Sequence, residues 1–272
     1  MSGDRKGEAT SRFLLAVAQL DFITRYRQLV SPIGATFAAA SISLLNSVEE
    51  QCRQILIGWH DTPIAEESAS RQDAILYEAL AHLLQSFTQR ASLARLRGQD
   101  SGALREGIYA GYLCQQALDA LVQPVFPWKL VEEILARRSE RSLPDSPSLP
   151  RLPNLRLDIT IFHERFTGLV EMYSAAGGVS EELGRLATSP DYRNDCYRQA
   201  DLCFHTALTL AQTVVAARQR DPGYLVRHQQ RYATLLEERL AVSTEDREET
   251  SSAMAALLKE GPAQFQSAVR MV

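Results

Sequence analysis

Residues 73–96 read DAILYEALAHLLQSFTQRASLARL. Ile75, Leu76, Ala79, Leu83 and Leu84 recur three or four positions apart, the spacing that returns side chains to one face of a helix. A strand would scatter the same five side chains over both faces. The run ends at Gly98-Gln99-Asp100-Ser101-Gly102, a cluster of turn residues. A helix with such an apolar face needs other elements to pack against. The fold class therefore turns on whether the flanking sequence repeats the period.

It does, in both directions. Upstream, Leu44, Leu45, Val48, Cys52, Ile55 and Leu56 mark one side of a helix over 37–59, bounded by Asp61-Thr62-Pro63. Before the break at Ser31-Pro32-Ile33-Gly34, Phe13, Leu14, Val17, Leu20 and Ile23 form another stripe. Downstream, helices are predicted over 103–122, closed by Pro124 and Pro127, and over 128–138. Another covers 155–176 and is expected to stop at Gly177-Gly178. A long one covers 191–220. Asp221-Pro222 reads as an N-cap with proline in the first helical position, opening a helix to Val242. A last helix starts near Ser243-Thr244-Glu245-Asp246 and ends before Gly261-Pro262. Only Ser139 to Asn154 breaks the pattern, because Pro144, Pro147, Pro150 and Pro153 leave no room for a helix. The expectation is one all-α domain over 1–272, with eight or nine long helices packed antiparallel and a disordered proline-rich loop inserted at 139–154.

Charge and composition exclude several classes. The chain has 29 basic and 33 acidic residues, a net charge of −4, which argues against a general nucleic-acid binder. No run of about 18 apolar residues is present, so no membrane span is expected. The N-terminal MSGDRKGEATSR is polar and unlike a secretory signal. Cys52, Cys114, Cys196 and Cys203 are scattered among apolar neighbours, as expected of reduced, buried thiols in a cytoplasmic protein. Lys6, Lys129 and Lys259 are the only lysines; the other 26 basic residues are arginines. Either a GC-rich coding bias or recognition of carboxylates and phosphates by the planar guanidinium accounts for that surplus.

Catalytic motifs are missing. There is no G-x-x-x-x-G-K-[ST], no G-x-G-x-x-G after a strand, no H-E-x-x-H and no G-x-S-x-G. His60, His82, His163, His205 and His228 are isolated, and Cys196 and Cys203 share a helical face as core residues rather than metal ligands. The expectation is a non-enzymatic protein without metal or cofactor.

Three segments add a family resemblance. The first is YLCQQALDALV (112–122), ending at Val125-Phe126-Pro127. The second runs from IFHERF (161–166) through EMYSAAG (171–177). The third runs from YRQAD (197–201) through ALTLA (207–211), then Asp221-Pro222, then Tyr232 to Glu237. In that order they resemble the fourth, fifth, and sixth-to-seventh helices of the 14-3-3 family of phosphoprotein-binding adaptors. Arg25-Tyr26 resembles a pair in the family's dimer-forming helices, and Leu44-Leu45 and Trp59 resemble landmarks of its third helix. The resemblance implies a nine-helix antiparallel cup, dimeric through its N-terminal helices, that holds phosphoserine or phosphothreonine peptides of partner proteins.

The family's basic pocket is not matched. Its positions fall at Glu49, Leu56, Leu169 and Val170, and the asparagine that clamps the peptide backbone falls at Gln230. Arg53 and Arg165 lie one turn from these positions, and Arg227 and Arg231 share a face. These four arginines with Gln230 are the candidate peptide or phosphate site; Arg25 and Tyr26 are the candidate dimer contacts. With ten residues after Pro262, the counterpart of the family's ninth helix is expected to be short or missing. Within RRSERSLP (137–144), Ser142 resembles the phosphoserine of a family ligand, so the loop is a candidate internal ligand. Two other readings stand beside the adaptor: a helical scaffold indifferent to phosphate, and an all-α protein with a small-molecule or lipid cavity.

Overall fold

The computed structural model describes residues 11–12, 14–16, 18–20, 22–23, 35–60, 69–120, 126–136, 149–150, 166–217, 220–242 and 247–260. Among these no strand occurs, and the fold is all-α. The helices are α1 (Ala35–His60), α2 (Ala69–Leu96), α3 (Asp100–Ala120), α4 (Trp128–Ala136), α5 (Phe166–Leu186), α6 (Pro190–Ala216), α7 (Pro222–Val242) and α8 (Arg247–Glu260). The described residues between 11 and 23 are also helical. None of the described helices is long and apolar enough to cross a membrane.

The helix boundaries follow local chemistry. Gly98 takes φ 69 in the turn after α2, a left-handed conformation that glycine adopts without strain. Ser189 caps α6 in an extended conformation and accepts from the Tyr192 amide, with a proline in the first turn and Asp191 facing the positive end of the dipole. Asp221 Oδ1 accepts from the Gly223 amide at 2.7 Å, as its N-cap reading requires.

One expectation fails. Gly177 and Gly178 do not stop their helix; α5 begins at Phe166 and runs through both to Leu186. They are packing notches rather than caps. A Cβ at 177 would lie 2.9 Å from the Phe204 ring of α6, and one at 178 would lie 2.5 Å from Arg231 Nη2 of α7. Close approach of two neighbouring helices offsets the roughly 1 kcal/mol that each glycine costs a helix. The two sites differ in what must yield. Phe204 is buried in the core, whereas the end of Arg231 can turn away. Gly177→Ala is therefore expected to destabilise by about 1–2 kcal/mol, overpacking outweighing propensity. Gly178→Ala is expected to be neutral or stabilising by up to about 1 kcal/mol. Urea unfolding of both variants checks this; equal losses would refute the distinction.

Helices α2 and α5 form the centre. α2 packs on α1, α3 and α5, and α5 packs on α2, α3 and α6. The main core draws on Leu76, Leu80, Leu83 and Leu84 of α2, Leu113 and Cys114 of α3, and Val170, Met172 and Ala176 of α5. A second, smaller cluster lies on the other side of α6: Tyr197, Phe204 and Leu208 meet Tyr232, Leu235 and Leu236 of α7 and Leu257 of α8. α6 thus faces both cores. All four cysteines are buried and free. Of the proline segment only Leu149 and Pro150 are described; Leu149 packs against the main core and Pro150 is buried.

Candidate functional site

Charged residues enter the interior along one seam between α2, α5 and α7. Glu171 and Glu182 are eleven residues apart, three helical turns, so they share a face of α5. Arg227 and Glu238 repeat that spacing on α7. Glu171 pairs with Arg227, and Arg185 with Glu238, so the two helices run in the same sense with complementary charges at two levels. α2 contributes a carboxylate and an arginine to the same levels through Glu78 and Arg95.

The first level is buried. Glu171 and Glu78 are each 2% exposed. Arg227 Nη2 donates to Glu171 Oε1, and His228 Nε2 lies 3.5 Å from the same oxygen. Arg220, just before α7, donates through Nη2 to both oxygens of Glu78 at 2.6 and 2.8 Å. His82 Nδ1 is 2.6 Å from the Glu78 carbonyl oxygen, which assigns the proton to Nδ1. Both guanidiniums lie over the Tyr224 ring, Arg220 at 5.7 Å and Arg227 at 5.1 Å from its centre, and the ring meets the His228 ring edge-on at 4.8 Å. Tyr224 Oη, His228 Nε2 and Arg220 Nε are buried and make no hydrogen bond among the described residues.

This packing sets the charge states. Burial pushes the Glu171 carboxyl up, but Arg227, His228 and His82 outweigh it and hold the group well below the usual carboxylate range. Burial pushes His228 below the usual imidazole range; Glu171 lifts it part of the way, and Arg227 and Arg231 push it down again. Burial, reinforced by Glu171 and Glu78, drives the Tyr224 phenol well up. The resulting cluster is two carboxylates, two guanidiniums, a neutral His228 and a neutral Tyr224.

The second level centres on Arg185. Its Nη2 reaches Glu181 at 2.6 Å and its Nη1 reaches Glu182 at 3.0 Å. Its Nε donates to Glu238 Oε1 at 2.8 Å, and Nη2 also reaches Glu238 Oε2. The Tyr197 hydroxyl donates to Glu238 Oε1 at 2.7 Å, and Arg95 Nε to Glu182 at 2.7 Å. Beyond it, Asp201 of α6 accepts from the Tyr232 hydroxyl at 2.9 Å and pairs with Arg239 at 3.2 Å.

The candidate residues taken from sequence that are described lie on two helices. Arg53 is half-buried on α1, which packs on α2 and α4, whereas Arg227, Gln230 and Arg231 belong to α7, which packs on α6 and α8. Arg227 is engaged with Glu171, and Arg231 stacks over the Phe204 ring at 5.3 Å. Gln230 is exposed, and its carbonyl accepts from Thr234. Arg25, Tyr26, Ser142 and Arg165 lie outside the described residues. At the positions of the family's basic pocket, Glu49 is buried and pairs with Arg90 Nε at 2.7 Å, while Leu56, Leu169 and Val170 are core residues.

Sequence reading missed Glu78, His82, Glu171, Glu182, Arg185, Arg220, Tyr224, His228 and Glu238. A signal existed: Glu78 falls within the apolar run of α2, and Glu171 within that of α5. A carboxylate amid such a stripe needs a cation from another helix.

Comparison with known proteins adds little. No family model matches the chain, and no curated protein matches it. A solved structure described as "DHF58 filament" is similar at 15% identity and a TM-score of 0.38, covering 98% of this chain and 97% of that one. At that score the likeness bears on neither fold family nor function.

Proposed function

We propose that the chain is a non-enzymatic adaptor or scaffold, a 14-3-3-like helical cup that dimerises through its N-terminal helical segment. It binds segments of partner proteins in the cytoplasm without depending on phosphate. The observation that carries this reading is the outer face of that N-terminal segment. Ala16, Leu20 and Ile23 are buried against the main core, and Arg12 and Gln19 bond Gln51 and Ser47 of α1. The opposite side exposes Leu14 at 59%, Leu15 at 46% and Phe22 at 50%, with Ser11 and Ala18 beside them. These residues are uncharged, so a second copy meets the face without like-charge repulsion, and exposed apolar patches mark association sites. The seam supports phosphate independence, since Arg185, Arg220 and Arg227 already neutralise carboxylates of the same chain.

Sedimentation equilibrium tests the dimer. The wild type is expected to be dimeric, and Leu14→Glu with Phe22→Glu monomeric at unchanged helicity. A monomeric wild type would overturn this reading. Matched peptide libraries with and without phosphate test the second element. Equal retention is expected, and selective retention of phosphopeptides would restore phosphate recognition.

A further inference from the structure

The two sides of α7 are held by different forces. Toward α6 it shares an apolar cluster through Tyr232, Ala233, Leu235 and Leu236. Toward α2 and α5 it reaches with charged side chains, Arg227 to Glu171 and Glu238 to Arg185, with Arg220 beside it on Glu78. Tyr224 and Leu225 add apolar contact with the main core only at its start. α8 packs on α7. His228 sits where the charged side is most deeply buried, 4% exposed. We propose that this end of the seam is an acid-sensitive latch: when His228 takes up a proton, α7 loosens from α2 and α5 and opens together with α8, while α6 stays in the main core.

The groups that face His228 define the switch. From α5 there is Glu171, whose charge Arg227 already balances. From α2 there are Glu78, paired with Arg220, and His82, close enough to influence Glu171. From α7 itself there are Tyr224, Arg227 and Arg231. On α6, Asp201 and His205 are turned to Tyr232 and Arg239 instead. A proton on His228 therefore adds a cation beside two arginines, at a site where the one carboxylate it faces, Glu171, is already paired with Arg227. The unfolded imidazole titrates near about 6.5, and the folded one lies lower. The latch is thus fully closed above about pH 6.5 and weakens as pH falls through the folded value. Glu171 acts in the same direction but only in more acid solution, because its folded state binds a proton less readily than the usual carboxylate.

Hydrogen exchange by mass spectrometry on the full chain tests this. After correction for intrinsic rates, peptides from 222–260 are expected to exchange faster as pH falls from 7 to 5.5, by up to about tenfold per pH unit. Peptides from α2 and α5 are expected to hold. His228→Gln is expected to remove the acid response. Unchanged protection of 222–260 in the wild type, or an undiminished response in the variant, would overturn the latch. Should the variant fail to fold, the wild-type imidazole resonances decide: a His228 that titrates in the ordinary range is equally fatal to the proposal.

Discussion

Replacing Glu171 by alanine is expected to destabilise the protein by about 3 kcal/mol, near the lower end of what removing one partner of a buried ion pair costs. Glu171 is buried, accepts from Arg227 and lies beside His228. Without it, Arg227 and the neighbouring Arg220 crowd Tyr224 with a single carboxylate, Glu78, between them. The loss stays below the full range because the Arg227 side chain is 26% exposed and can turn partly toward water. The effect has a pH signature. The folded Glu171 carboxyl sits well below its unfolded value of about 4.3, so its contribution is present above that value and lost as pH falls through the folded one. Urea unfolding at pH 7 and pH 4 measures the gap between wild type and variant. The gap is expected to narrow at pH 4, and a loss under about 1 kcal/mol at pH 7 would show that α5 and α7 are not held here.

Arg185→Ala is expected to cost a similar amount, about 3 kcal/mol. One guanidinium serves Glu181, Glu182 and Glu238, and those partners hold it in its charged form against burial. Its removal leaves Glu182, 1% exposed, to Arg95 alone, and leaves Glu238 with the Tyr197 hydroxyl. Arg185→Lys should recover only part of the loss, since an ammonium cannot match three carboxylates with a planar fork. A double-mutant cycle with Glu238→Ala separates the pair from the general cost of truncation. Additive effects would mean that Arg185 merely packs. Glu238 is held below its usual range with Arg185 as the chief opposing cause to burial, so this contribution too is present above about pH 4.3 and lost in acid.

How legible the fold was depends on what each residue competes with. Period and turn residues placed α1, α2, α6 and α7 within a few residues, because apolar spacing and caps act locally. Gly177-Gly178 misled because a glycine pair reads as a stop in isolation and as a notch only when Phe204 and Arg231 approach it from other helices. The candidate arginines of α7 depend on the same kind of contact. Arg227 and Arg231 share a face on α7 as read, but whether a face meets ligand or protein is decided by Glu171 and Gly178 on α5, more than fifty residues earlier. The arginine surplus was visible from composition. Its use within the chain, at Glu78, Glu171 and Glu238, is a tertiary fact.

The two-sided burial of α6 also has a consequence for how the chain is made. Synthesis proceeds from the N-terminus, and α5, the partner of one α6 face, exists before α6 does. The partners of its other face, α7 and α8, come after it. Until residues 222–260 leave the ribosome, the sides of Tyr197, Ala200, Phe204 and Leu208 that meet α7 and α8 lack their cover, although Tyr197 and Phe204 already touch α5 at Gly184 and Gly177. That strip is where a chaperone would bind a nascent chain, and where a product truncated before α7 would begin to aggregate.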